Sequence, residues 1–377
     1  MRIYLLVALV ALLSTFLLSP LVRAIAIRFG AITPLRDRDS HKEPTPRMGG
    51  LSMCLGFIFA MFYAYTIPYL ANVFEYNTQV LWIVIGAVLI AVLGVLDDLF
   101  EIDWTLKLAG QILIGVLVAI NGVQLFSLPL WGLIVGSPLA SVTVTTFIIV
   151  ALTNATNFID GLDGLLAGTI LIGSSAFYIY SYSLSSQFTS YASLVSIITV
   201  ATIGICAGFL FINFAPARIF MGDTGSMLLG FLTACSSILV TGRIDPAATS
   251  IETLPAYMPI LLPVLMFLLP CIDMLLAVIR RVLRRKSPFE PDRMHLHHRI
   301  VDIGHSKRAA VLLLYSWTGL FAYSALLLVF IPQQDVLLIF IIGIAVLLVL
   351  TFLLGGIVDK FKRTDLYKKF SKEEISV

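Results

Sequence analysis

Long apolar runs separated by short polar breaks occupy the chain from end to end. A bilayer core of ~30 Å is crossed by roughly 17 to 25 apolar residues of α-helix, and eleven runs approach that length. They lie near residues 3 to 27, 49 to 71, 80 to 96, 107 to 124, 140 to 155, 165 to 184, 192 to 213, 224 to 241, 255 to 279, 309 to 331 and 336 to 355. The pattern predicts an all-α polytopic integral membrane protein with about eleven transmembrane helices. The polar stretch between the fifth and sixth runs leaves room for a partly helical, re-entrant segment. Pro255, Pro259, Pro263 and Pro270 fall in the ninth run, which is expected to be kinked or broken more than once.

Composition agrees with that class. Of 377 residues, 59% are hydrophobic and 12% charged, with a mean hydropathy of +0.98, more apolar surface than a soluble core needs. Lys and Arg accumulate in short cytoplasmic loops. Placing the N-terminus outside puts every Lys and Arg except Arg2 and Arg243 inside, and an odd number of spans brings the basic tail, residues 356 to 377, into the cytoplasm. Arg23 and Arg28 follow the first apolar run instead of preceding it, so that run reads as an uncleaved helix and not as a secretory signal. Cys54, Cys206, Cys235 and Cys271 lie inside apolar runs without metal-ligand spacing and read as buried thiols. The longest polar connection, 280 to 308, is too short for a soluble domain, so any chemistry is built from loops on a single transmembrane domain covering residues 1 to 377.

Five aspartates, Asp97, Asp98, Asp160, Asp163 and Asp223, sit in polar breaks that all fall on the cytoplasmic side. Carboxylates beside hydrocarbon are costly, and such a cluster marks a functional site. Asp97-Asp98 closes the third run, where a helix C-terminus already disfavours an anion. Lys107, at the start of the fourth, can offset it, as can a divalent cation; a polar helix end facing water is the plain alternative. The stretch from Asn154 to Gly164 spaces Asn154, Asn157, Asp160 and Asp163 three apart. On one unbroken helix these would drift about 60° per step, so the two glycines are expected to open the helix after Asp160 and let the run line a pocket from two directions. Asp223 precedes the eighth run as a helix cap, while its flanking glycines also let backbone N–H groups approach a phosphate. Mg²⁺ suits so few oxygen donors, because phosphates and water complete its shell.

In the long inner loop a basic run from Arg280 to Lys286 precedes His295, His297, His298 and Arg299. The basic run alone serves as an anchor to anionic lipid. The histidines and Arg299 read better as donors to a diphosphate than as zinc ligands, since the closed ligand set of a structural zinc is missing. Lys42 and Arg47, before Gly49-Gly50, offer further phosphate contacts on the same side, or a topology signal.

The Asp-Asp pair, the Asn-x-x-Asn-x-x-Asp-Gly-Leu-Asp-Gly run, the segment from Asn213 to Ser226 and His-x-His-His together resemble the polyprenyl-phosphate N-acetylhexosamine-1-phosphate transferases over about residues 40 to 310. The stretch from Ser287 to Arg293 looks like the bacterial branch that uses UDP-N-acetylglucosamine. The branch that transfers phospho-N-acetylmuramoyl-pentapeptide has Thr-Met-Gly-Gly where this chain has Arg47-Met48-Gly49-Gly50. The resemblance implies transfer of a sugar 1-phosphate from a UDP-sugar to a polyprenyl phosphate of undecaprenyl or decaprenyl length, with release of UMP, at the cytoplasmic face of a bacterial inner membrane. It implies that Asn157 and Asp223 hold Mg²⁺, with Mn²⁺ as substitute, and that Lys107 contacts the donor phosphates. Phe220 would stack on uracil with Asp163 reading its edge and Asn213 nearby. Asp97 would orient or deprotonate the lipid phosphate, with Asp98 and Asp160 shaping the site. A bend in the ninth run would open a groove for the prenyl chain. Membrane lipids are the expected surroundings, a homodimer is left open, and nucleic acid is not expected. The rivals are the pentapeptide-transferring branch and, in a different class, an ion-coupled transporter. The transporter is disfavoured because its acids belong near the bilayer midplane and the chain has no long-period repeat.

Overall fold

A computed structural model describes residues 2–33, 44–76, 78–125, 137–185, 190–241, 257–283, 300 and 302–354. Its helices are α1 Arg2–Arg28, α2 Gly50–Thr66, the short α3 Ala71–Tyr76, α4 Gln79–Phe100, α5 Trp104–Ile120, α6 Pro138–Ile159, α7 Leu165–Ser185, α8 Ser190–Asn213, α9 Gly222–Thr241, α10 Met258–Leu283, α11 Lys307–Leu327 and α12 Gln333–Val349. A helix therefore occupies each of the eleven predicted runs. Among the described residues eight are long and apolar enough to cross a membrane, or nine if the bent pair at α2 is one span, and α5 adds a 17-residue apolar helix. The protein is an all-α, multi-pass membrane protein.

Contacts divide the chain into two compact units, Met1–Met266 and Phe267–Val377. In the first, α9 is the hub and packs against α2, α4, α6 and α8, while α1 packs on α8 and α2, and α5 on α6 and α4. In the second, α11 packs on α12.

Three backbones meet at the start of α9 because glycine removes the side chains between them. A Cβ on Gly50 would collide with the Thr224–Gly225 backbone, and one on Gly94 with the Asp223–Thr224 backbone. A two-residue antiparallel pair, β1 Ile32–Thr33 with β2 Thr45–Pro46, delivers the following segment to the same place. There Phe220 N–H donates to Pro46 O at 2.8 Å, Gly49 N–H to Phe220 O at 2.9 Å and Gly50 N–H to Met221 O at 2.8 Å.

The helix boundaries differ from the expectation in instructive places. The predicted second span, 49 to 71, breaks after Thr66, where Gly50–Thr66 and Pro68–Glu75 meet at 92°. Ile67 precedes a proline and is extended (φ −86°, ψ 116°), which stops a helix. The third span continues past 96, so Asp97 and Asp98 lie inside the last turn of α4, which ends on Glu101 in the left-handed region (φ 48°). The fifth continues past 155 through Asn157 to Ile159 and stops at Asp160, ahead of the two glycines as expected. Of the kinks or breaks expected in the ninth span, no break interrupts the helix at Pro259, Pro263 or Pro270, because α10 runs unbroken from Met258 to Leu283. Pro259 sits in its first turn, where no intrahelical N–H is needed. Pro255 lies outside the described residues.

Candidate active site

Lys107, in the first turn of α5, reaches across to two carboxylates. Its ammonium donates to Asp97 Oδ2 at 2.9 Å and also contacts Asp223 Oδ2, so one cation joins α4, α5 and α9. All three side chains retain solvent access, 15% for Asp97, 16% for Lys107 and 30% for Asp223, so a soluble ligand can reach them. The local sequence explains the placing: Asp103 caps α5, accepting from Thr105 N–H at 2.9 Å, and starts the helix one turn before Lys107.

Asp98, adjacent to Asp97, has a different position. It is buried at 3% exposure and faces the N-terminus of α9. Its carboxylate accepts from Asp223 N–H at 3.0 Å, Thr224 N–H at 3.2 Å and Thr224 Oγ1–H at 2.6 Å. It thus caps a helix from another part of the chain, at the end where the macrodipole favours an anion. Gly222 approaches so closely, at φ 68°, that a Cβ would strike the Asp98 carboxylate. Asp98 anchors the backbone of Asp223, whereas Asp97 holds the Lys107 ammonium.

Around the other side, Asn157 near the end of α6 donates through Nδ2 to Ser226 Oγ at 3.0 Å, one turn along α9 from Asp223. Asp163 Oδ2 accepts from Ala217 N–H at 3.0 Å, tying the α6–α7 turn to the loop before α9. Asn213 is buried with both ends of its amide on backbone: Oδ1 accepts from Gly164 N–H at 2.9 Å and Nδ2 donates to Ile219 O at 2.9 Å. It frames the loop that carries Phe220, which is half-buried. Asp160, the C-cap residue of α6, has its carboxyl pushed up to about 7, first by desolvation and then by the charges of Asp98 and Asp163.

Arg47 pairs with Glu101 at 2.8 Å, and its Nε is buried without a partner among the described residues. Glu101 was not singled out from the sequence. Neither were Thr224, Ser226 and Gln111, which engage the site or its underside; the first two belong to the motif after Asp223, but nothing in the sequence gives the direction of their hydroxyls. Lys42, His295, His297, His298 and Arg299 lie outside the described residues. The structure therefore joins Asp97, Lys107 and Asp223 through their side chains, ties Asp98 to the Asp223 backbone and Asn157 to Ser226 one turn along α9, and places Asp160 where the Asp98 charge acts on it, with Asp163, Asn213 and Phe220 in the adjoining loops.

Residues 80–241, from α4 to the end of α9, match the family described as glycosyl transferase family 4. The chain is 39% identical over 355 residues to the decaprenyl-phosphate N-acetylglucosaminephosphotransferase of Mycolicibacterium smegmatis, covering 92% of this chain and 87% of that protein. The chain belongs to glycosyl transferase family 4. The family region encloses all five aspartates and Lys107. A second family relative, the probable undecaprenyl-phosphate N-acetylglucosaminyl 1-phosphate transferase of Bacillus subtilis, is 33% identical over 366 residues, 96% of each chain. A phospho-N-acetylmuramoyl-pentapeptide-transferase from Desulforudis audaxviator is 32% identical over 260 residues, covering 62% of this chain and 75% of its own. As a family member the protein is a membrane-embedded transferase.

Proposed function

We propose that the protein transfers N-acetylglucosamine 1-phosphate from UDP-N-acetylglucosamine to a polyprenyl phosphate, giving a polyprenyl-diphosphate sugar and UMP and initiating cell-envelope glycan synthesis. The observation that carries this reading is the Asp97–Lys107–Asp223 cluster. A partly exposed cation held between carboxylates where three helices of a membrane bundle meet suits a reaction that joins a water-soluble diphosphate to a lipid-borne phosphate. An oxygen of the lipid phosphate attacks the sugar-bearing phosphorus, a new P–O bond forms, and the bond to the uridine-bearing phosphate breaks. Such a transfer needs mainly positioning and charge neutralisation. The relatives matched over nearly the whole chain are named for the N-acetylglucosamine transfer, which favours that donor over the muramoyl-pentapeptide.

The donor set fits Mg²⁺, or Mn²⁺ in its place. Asp223 supplies a carboxylate, and Asn157 a carboxamide oxygen whose amide nitrogen is already committed to Ser226. Among the described residues no three His, Cys, Asp or Glu side chains are arranged to hold a metal ion between them, and Mg²⁺ usually takes only one or two protein oxygens. Bound there, the ion supplies charge neutralisation on the donor diphosphate. Lys107 holds the phosphates, and Asp98 keeps Asp223 in place through its backbone. Asp97 orients the lipid phosphate, which is already largely ionised at neutral pH with a second pKa near ~6 and needs no strong base. Asp163 and Phe220 serve uridine, while Asp160 shapes the polar wall. Arg47, Lys42 and the His295–Arg299 segment add phosphate donors. The Lys and Arg distribution supports an outside N-terminus and a site on the cytoplasmic face of the bacterial inner membrane.

The test is release of UMP from UDP-N-acetylglucosamine by purified protein, with and without polyprenyl phosphate and Mg²⁺, alongside Asp223→Asn. Release that needs both lipid and metal and is lost in the variant is the expected result. Turnover only with the muramoyl-pentapeptide donor would move the protein to the sister branch, and silence with both would revive a transporter.

A further inference from the structure

One helical turn beneath the charged cluster lies a second polar tier that the proposed chemistry does not use. Gln111 follows Lys107 by four residues on α5, Met227 follows Asp223 by four on α9, and Asn154 precedes Asn157 by three on α6. Because α5 and α9 start at the site and α6 ends there, each of these residues is one turn deeper on the same side of its helix. They meet. Asn154 Nδ2 donates to Gln111 Oε1 at 2.6 Å and to Val150 O at 2.8 Å, and Gln111 Nε2 donates to Met227 Sδ at 3.2 Å. Gln111 is 1% exposed.

A buried carboxamide is costly unless its hydrogen bonds are made, and a leucine would fill the same space without that cost. What a directed amide pair adds over apolar packing is register, since it is satisfied at one rotation and one height of α5 relative to α6. We infer that Gln111 and Asn154 are positioning residues: they key α5, α6 and α9 together one turn below Lys107, Asn157 and Asp223, so that the ammonium and the metal-binding oxygens converge on one diphosphate. This rests on the reading of those three residues given under Proposed function. Neither carboxamide touches substrate.

The test compares Gln111→Met, Asn154→Leu, their combination, and the length-conserving exchange Gln111→Asn with Asn154→Gln. Each is purified in detergent and assayed for sugar-phosphate transfer and, separately, for Mn²⁺ affinity by electron paramagnetic resonance. Each single change is expected to lower kcat and Mn²⁺ affinity by about 10-fold or more, in the range usual for residues that orient metal ligands. The combination should be no worse than the worse single change, and the exchange should recover most of the loss. Unchanged kcat and Mn²⁺ affinity with only a lowered thermal midpoint would overturn the inference, as would single effects that multiply in the combination. The two readouts separate this inference from the reading beneath it. If the parent protein turns over no N-acetylglucosamine donor, the substrate assignment fails and Mn²⁺ affinity still decides the coupling. If Mn²⁺ binding is equal in the parent and Asp223→Asn, the metal assignment fails and turnover decides it.

Discussion

Helices α1 and α9 are both long enough to span a bilayer, yet the less hydrophobic one is the more buried. Over their most apolar windows, α1 has a mean hydropathy of 2.5 with 28% of residues buried, and α9 has 1.5 with all of them buried. The buried stripe of α1, which includes Val7, Ala11, Thr15, Ser19, Val22 and Ala26, recurs every three or four residues, the spacing of one helix face. That face packs on Gly204 and Gly208 of α8 and on Gly56 of α2, while Leu5, Leu9, Leu17 and Leu21 stay exposed. Helix α9 is enclosed on every side and uses small residues and hydroxyls instead. Ser236 and Thr241 return their hydroxyls to carbonyls four residues earlier, so their burial leaves no unmet bond. In a membrane, where lipid is as apolar as leucine, hydrophobicity marks the outside of the bundle and small polar composition marks its centre.

The sharpest way to break this comparison is at the polar end of α9. Asp223→Asn and Lys107→Met each remove one member of the charge cluster, and turnover is expected to fall about 10²- to 10³-fold, the usual loss for one preorganised electrostatic group. Thermal midpoints should change far less than turnover. A turnover within a few-fold of the parent would place the chemistry elsewhere.

Next in size come the close approaches. Gly94→Leu forces a side chain into the Asp223–Thr224 backbone, and Ala11→Leu forces one toward Gly204. Both should destabilise by roughly 1–3 kcal/mol, the usual cost of overpacking. They should differ in consequence, because the first displaces Asp223 and lowers transfer by about 10-fold or more, whereas the second spares the activity of the folded fraction. Equal loss of specific activity in both would mean that α1 and α9 are not functionally separate.

How much of this was legible in the sequence depends on which part is considered. Hydropathy located a helix at every predicted run, because an apolar stretch in lipid must satisfy its own backbone. Boundaries were less legible where tertiary contacts set them. The apolar run stops at 96, yet Asp97 and Asp98, expected at the helix C-terminus, lie within its last turn, since the Lys107 charge and the α9 N-terminus accept carboxylates there. The adjacent aspartates carry different roles in the expectation, and because a helix turns about 100° between neighbours the pair does divide, into a cluster member and a cap, but the capping role of Asp98 is not legible in the sequence. The Asn154–Gln111 bond could not be read at all, because nothing in one sequence says which face of α5 meets which face of α6. Prolines did not mark helix ends in α10, which continues through Pro259, Pro263 and Pro270.

A smaller effect is expected from pH. Asp160 titrates near 7 in the folded protein against about 3.9 for an ordinary aspartate, so between those values the native state holds a proton that the unfolded chain has lost. Its contribution is therefore fully favourable below about pH 4, declines as pH rises toward 7, and is flat above. Asp160→Asn removes the titration. The thermal midpoint of the variant relative to the parent should rise between about pH 4.5 and 7 and then level off, and parallel curves would show that Asp160 is not desolvated. The buried stripe of α1 contains no carboxylate, so substitutions there should leave the pH profile unchanged.

The smallest effect is the one that tests the outside of the bundle. Leu17 is 69% exposed on α1, opposite the stripe that meets α2 and α8. In a soluble protein a leucine so exposed would look like an unfilled interface, but in a bilayer it exchanges one apolar neighbour for another. Leu17→Ala should change stability by no more than about 0.5 kcal/mol and leave turnover unaltered, as expected for a side chain without packed partners. A larger loss would mean that this face of α1 is covered in the membrane by protein. It would then belong with α9 among the buried surfaces, and hydrophobicity alone would no longer separate the two helices.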